Sequence, residues 1–228
     1  MRGARATVRR VNLDALPCIV VEPDAPLGAA VMAHGYGGCK EEMLGLAVRA
    51  SELGLAAYAI DLRGHGENVA PLDAHVAHDV EIAIACARRH GRVAAIGHSL
   101  GGRLALDSSA DYAIGIAPAL ASHYGPRTRA ILGSTRDGRV RQPSPDTIFS
   151  VLSAAPSFKV HPSRPAIVIH GSRDLPEVTS ACRSWAERGC PCIEIENALH
   201  GDICFLEQTF GEVAKAVSAW FPRNARTA

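Results

Sequence analysis

Short apolar runs alternate with helical patterns along nearly the whole chain, and this alternation constrains the fold more than any other feature. Strand-like runs are expected over residues 5–12, 17–22, 28–34, 55–61, 92–97, 112–117, 166–171 and 191–196. Helices are expected over 40–53, 74–90, 100–109, 176–188 and 206–220. Strands separated by helices run parallel, joined by right-handed crossovers, with helices on both faces of the sheet. No helix intervenes between the first two runs, which predicts an antiparallel start. The expectation is an α/β fold with a mostly parallel eight-stranded sheet, and 228 residues suffice for one such domain over residues 1–228.

One stretch breaks the alternation. Residues 119–164 carry Gly125-Pro126, Gly133, Gly138, Pro143, Pro145, Pro156 and Pro162, with helical material between them. Ser144-Pro145-Asp146-Thr147 reads as an N-cap with proline at the first helical position, which predicts a helix over about 145–154. The excursion is too long for an ordinary loop and too short for a domain. It reads as a small cap over the strand ends, against the alternative of a decorative insertion.

Bulk properties remove several function classes. Lys+Arg is 24 against 23 for Asp+Glu, and no block of like charge argues for nucleic acid or an anionic membrane surface. The basic N-terminal MRGARATVRRV has no apolar core of the secretory kind, and no apolar run reaches the about eighteen residues of a membrane span. Cysteines 18, 39, 86, 182, 190, 192 and 204 are odd in number and scattered through apolar segments. Reduced thiols in a cytoplasmic protein are expected. Cys190-Pro191-Cys192 has no zinc-ribbon spacing, and His75, His78 and Asp79 come without a catalytic-metal signature. No metal and no cofactor is expected.

The chemistry concentrates in AAIGHSLGGRLAL, residues 94–106. A buried strand ends at Gly97, a helix opens at Leu100, and Ser99 stands between them in the spacing G-x-S-x-G. A sharp strand-to-helix turn presents the serine hydroxyl outward, and small neighbours let strand and helix approach. Serine at neutral pH is a poor nucleophile until an imidazole accepts its proton, so the chain must also supply a base, an acid to orient it and donors for an oxyanion.

The chain resembles the α/β-hydrolase superfamily over nearly its whole length. The resemblance is carried by HGYGG (34–38), DLRGHGEN (61–68), GHSLGG (97–102) and HGSRD (170–174) before His200. It implies Ser99 as nucleophile, His200 as general base and Asp174, after the strand at 166–171, as the acid that orients it. Asp202 is a rival acid two residues from His200, whereas Asp174 has the conventional strand-end position. The resemblance also implies an oxyanion hole from the backbone N–H groups of Tyr36 and Leu100. The competing view of 34–38 as a phosphate-binding turn lacks G-x-x-x-x-G-K-[ST], and Lys40 has no Ser or Thr after it. His34, His65, His98 and His170 sit inside the same motifs, where they are expected to hydrogen-bond backbone.

A serine nucleophile argues against the dehalogenase, epoxide-hydrolase and dienelactone-hydrolase branches. The first half is similar to small carboxylesterases of the cinnamoyl or feruloyl kind. This implies hydrolysis of carboxylic esters of small to medium acyl chains through an acyl-enzyme on Ser99, with a small-molecule ester as the partner. Thioester or carbon–carbon hydrolysis by the same triad, or a ligand receptor with slow turnover, remain open alternatives. Within the insertion, His123, Phe149 and Leu152 are expected to touch substrate, and His161 also falls there. Its charges, Arg127, Arg129, Arg136, Arg139, Arg141, Lys159 and Arg164, either attract an acidic substrate or are simply solvated.

Overall fold

The computed structural model describes residues 6–136, 138–154 and 164–223. Eight strands form one sheet: β1 (Ala6–Leu13), β2 (Leu16–Pro23), β3 (Gly28–Ala33), β4 (Leu55–Ile60), β5 (Val93–His98), β6 (Tyr112–Ile116), β7 (Ala166–Gly171) and β8 (Cys192–Ile195). Their order is β1-β2-β4-β3-β5-β6-β7-β8. β1 and β2 are antiparallel, as are β2 and β4, and every other pair is parallel. The antiparallel start follows from a two-residue turn at Asp14 and Ala15, both with positive φ, the backbone that matches the twist of a tight hairpin.

The helices are α1 (Leu44–Glu52), α2 (Val76–Ala87), α3 (Leu100–Asp107), α4 (Pro126–Arg136), α5 (Thr147–Ala154), α6 (Pro176–Glu187) and α7 (Glu207–Trp220). β3, β4, β5 and β6 are buried almost throughout, because helices cover both faces of the sheet. Alternate residues of β3 divide between the two layers. Ala30 and Met32 pack with residues of α1, α6 and α7, while Ala29, Val31 and Ala33 pack with α2 and α3.

The connections fix where a site can form. From β3 the chain moves outward to β4, then crosses back over β3 to β5 and proceeds the other way. The crevice at the carboxyl ends of β3 and β5 is therefore the point where the winding reverses, the usual place for ligand in an open α/β sheet. The loop HGYGG leaves β3 there, and Ser99 follows β5. Among the described residues no helix is long and apolar enough to cross a membrane.

Between β6 and β7 the described residues form α4 and α5. α5 starts at Thr147 within the expected span, and α4 is a helix that no apolar stripe announces. Lys159 and His161 lie outside the described residues.

Candidate active site

The β5–α3 turn holds Ser99 at φ 52° and ψ −111°, a strained backbone for a residue with a side chain. Three backbone bonds maintain it. Ser99 N–H donates to Ile116 O at 2.9 Å, Ala119 N–H donates to Ser99 O at 3.0 Å, and Gly101 N–H donates to His34 O at 3.2 Å. A Cβ on Gly97 would collide with the Gly101 carbonyl, and one on Gly101 with the Ala33 carbonyl. The glycines are therefore required by close approach of backbone to backbone, since neither has a positive φ.

His200 arrives on the loop after β8. Its Nε2 lies 3.0 Å from Ser99 Oγ, and its Nδ1 lies 2.6 Å from Asp174 Oδ1. Asp174 Oδ1 also accepts the Leu175 N–H at 2.7 Å, and the carboxylate is fully buried beneath the ring. With Nδ1–H donating to the carboxylate, Nε2 is left as an acceptor for the serine hydroxyl. Asp202 is turned elsewhere, accepting the Leu199 N–H at 2.8 Å.

The four motif histidines all bond backbone. His98 Nε2–H donates to His200 O at 2.8 Å, which holds the loop that presents the imidazole. His34 Nδ1–H donates to Gly35 O at 2.8 Å while its Nε2 accepts the Leu62 N–H. Burial, with the His65 ring nearby, pushes His34 down to about 3 and keeps it neutral. His65 Nδ1–H donates to Arg63 O, and His170 Nδ1–H donates to Gly171 O at 3.3 Å.

Residues 34–38 fold against Ser99. Gly38 N–H donates to Gly35 O at 3.0 Å, Gly37 takes φ 75°, and a Cβ on Gly35 would come 3.3 Å from Ser99 Cβ. Tyr36 is buried there. The Leu100 amide heads α3, where a helix leaves its first N–H groups without internal partners. Lys40 is only 1 % exposed and turns away from any phosphate-binding role. Its ammonium lies 2.5 Å from Asp61 and 2.9 Å from Glu67, and Asp61 also accepts the Lys40 and Glu67 N–H groups. Burial opposes the charge, but the two carboxylates outweigh it and hold the ammonium above the ordinary lysine value. This network, buried at Lys40 and Asp61 and missed by the sequence reading, ties the loop after β3 to the loop after β4.

The residues expected to touch substrate separate. His123 and Leu152 line one cavity of about 850 Å³ with Ser122, Glu177, Ser180 and Trp185. Phe149 is instead buried between Tyr124 and the Arg129 guanidinium, which stacks 4.0 Å from its ring centre. Three of the insertion's arginines are structural. Arg129 pairs with Asp146, Arg141 donates to three carbonyls of the loop after β4, and Arg164 donates to Leu106 O and Ser108 O. Among the described residues no group of three or more His, Cys, Asp or Glu is placed to hold a metal ion.

A family model described as the alpha/beta hydrolase family matches residues 30–220. Among solved structures, the chain is similar to an esterase from Pyrobaculum calidifontis, with 21% identity over 95% of this chain and 86% of that one, at TM-score 0.68. It is also similar to the alpha/beta hydrolase GrgF from Penicillium sp. sh18, with 15% identity over 96% and 100% of the two chains, at TM-score 0.75. A monoacylglycerol lipase from Paleococcus ferrophilus shares 16% identity over 90% and 98%, at TM-score 0.65. No curated protein matches the chain.

Proposed function

Because the chain belongs to the alpha/beta hydrolase family, we propose that it is a serine hydrolase cleaving carboxylic esters of small to medium acyl chains through an acyl-enzyme on Ser99. The observation that carries this reading is the continuous relay from Ser99 Oγ through His200 to the buried Asp174. His200 Nε2 takes the hydroxyl proton as Oγ attacks the ester carbonyl carbon, and Asp174 stabilises the resulting imidazolium. The oxyanion is received by the N–H groups of Tyr36 and Leu100. The intermediate collapses to the acyl-enzyme, and the departing alkoxide takes the proton from His200. Water then loses a proton to His200 and attacks the acyl carbon, releasing the carboxylic acid and restoring Ser99. Esterase and lipase names among the structural relatives support the same bond type.

The segment between β6 and β7 acts as the cap in this reading, and the cavity lined by His123 and Leu152 takes part of the substrate. Free thiols at all seven cysteines favour a cytoplasmic, reducing setting. The test is turnover of p-nitrophenyl acetate, butyrate and decanoate, with a feruloyl ester added. Turnover highest on the shorter chains is expected. A folded protein that turns over none of them, yet hydrolyses acyl thioesters, would overturn the ester reading.

A further inference from the structure

Gln142 is where the segment between β6 and β7 reaches the loop after β3. Its Nε2–H donates to Tyr36 Oη at 2.6 Å, and Tyr36 is 6 % exposed. Gln142 is delivered by its neighbour. Arg141 N–H donates to Gly64 O at 2.8 Å, and Leu72 N–H donates to Arg141 O at 2.8 Å, a short strand-like pairing with the loop after β4. The Arg141 guanidinium adds bonds to the carbonyls of His65 at 3.1 Å, Gly66 at 2.8 Å and Asn68. A Cβ on Gly64 would stand 2.9 Å from Arg141 O, so the approach depends on that glycine.

The rest of the Tyr36 setting is closely packed. The His65 ring meets the Tyr36 ring edge-on at 5.8 Å between centres, and the Gly35–Gly38 turn fixes the backbone beneath it. The Lys40–Asp61 pair ties the loop that carries His65 to the loop that carries Tyr36. Gln142 adds the contact at the far end of the phenol. A part-buried neutral bond of this kind restricts rotation of the Tyr36 side chain about the backbone that carries it.

We propose that Gln142 is a positioning residue for oxyanion stabilisation, acting through the Tyr36 side chain on the direction of the Tyr36 N–H. The proposal rests on the oxyanion role given to Tyr36 above. Losing one oxyanion donor outright costs about a hundredfold to a thousandfold in kcat, so loosening one costs less, roughly tenfold.

Gln142→Ala and Tyr36→Phe each delete the bond and keep every backbone N–H. For both, kcat is expected to fall about tenfold on p-nitrophenyl acetate, butyrate and decanoate alike, with KM nearly unchanged. Affinity for a trifluoromethyl ketone, whose tetrahedral adduct on Ser99 bears the oxyanion, should fall by the same factor as kcat/KM. The double variant should be no worse than either single one. A role in packing alone would lower the melting temperature and leave kcat and inhibitor affinity at wild-type values. That result, or additive losses in the double variant, overturns the proposal, provided Ser99→Ala is inactive. Turnover surviving in Ser99→Ala overturns the reading of the site on which the proposal rests.

Discussion

The turn that carries Ser99 and the segment between β6 and β7 are held by different parts of the chain. At the turn, backbone meets backbone: Ser99 bonds Ile116 and Ala119, Gly101 bonds His34, and the missing Cβ atoms make the contacts possible. In the segment, side chains dominate. Glu177 accepts the Gly125 N–H and the Thr128 hydroxyl, Arg129 stacks on Phe149, Arg141 reaches three carbonyls, and Gln142 reaches Tyr36. Geometry set by backbone is indifferent to most substitutions and intolerant of a few. Geometry set by side chains can be changed one residue at a time, which suits the cap role proposed for this segment.

The largest effect should come from the turn. Ser99→Ala removes one hydroxyl and leaves all three backbone bonds, so ester turnover should fall by several orders of magnitude. The thermal unfolding midpoint should stay within a few degrees of wild type. Near wild-type kcat in this variant would move the nucleophile elsewhere and remove the functional half of the comparison.

Gly101→Ala tests the intolerance. Its new methyl meets the Ala33 and His34 carbonyls, which belong to the central strand end and cannot retreat. A stability loss of about 3 kcal/mol or more is expected by urea unfolding, above the usual range for a surface change. Phe149→Ala is the counterpart in the segment. It empties a site between Tyr124 and Arg129 and should cost about 3 kcal/mol with little change in acyl-chain preference. A variant as stable as wild type would show that α5 rests only loosely on the body.

The contrast also explains what could be read in advance. Ser99, Asp174 and His200 each follow a strand whose apolar run is visible, and strand ends converge on one sheet edge. Lys40 was legible only as a charge after a glycine turn, because nothing within DLRGHGEN marks Asp61 as its partner 21 positions on. α4 carries no clear apolar stripe. Its start is held by Glu177, about fifty residues away, a contact that no periodicity announces. Gln142 and Tyr36 are 106 positions apart, and neither residue type predicts the other.

Acid should act first through the loop after β3, whose His34 carbonyl accepts the Gly101 N–H of the turn. His34 is pushed down to about 3 by burial, whereas an unfolded histidine titrates near 6.5. Between these values the unfolded chain binds the extra proton. The contribution of His34 is therefore complete above about pH 6.5 and declines towards pH 3, by at most about 1.4 kcal/mol per pH unit. His65 is shifted in the same direction, again by burial. Urea unfolding at pH 7, 5.5 and 4.5 checks this. A His34→Asn variant should be less stable at pH 7 and show a flatter pH slope, and an unchanged slope would assign the acid sensitivity to other groups.

Leu152→Ala should have the smallest effect on the protein and the most informative one on its selectivity. Leu152 lies on α5 like Phe149, but it lines the cavity that also meets His123 and Ser122 on the chain leaving β6 and Pro176 and Glu177 at the start of α6. That cavity begins at Leu120, next to Ala119, whose N–H bonds Ser99 O, and at Pro176, two residues beyond Asp174. Shortening a half-buried side chain at its wall removes little core contact, so stability should fall by less than about 1 kcal/mol. The space released should favour longer acyl groups, raising the decanoate-to-acetate ratio of kcat/KM by at least a few-fold, since a methylene in an apolar pocket is worth roughly tenfold to two-hundredfold. Phe149→Ala and Leu152→Ala should therefore separate along the two axes, one moving the unfolding midpoint and the other the substrate profile. An unaltered profile in Leu152→Ala would detach this cavity from the substrate path and leave α5 as packing alone.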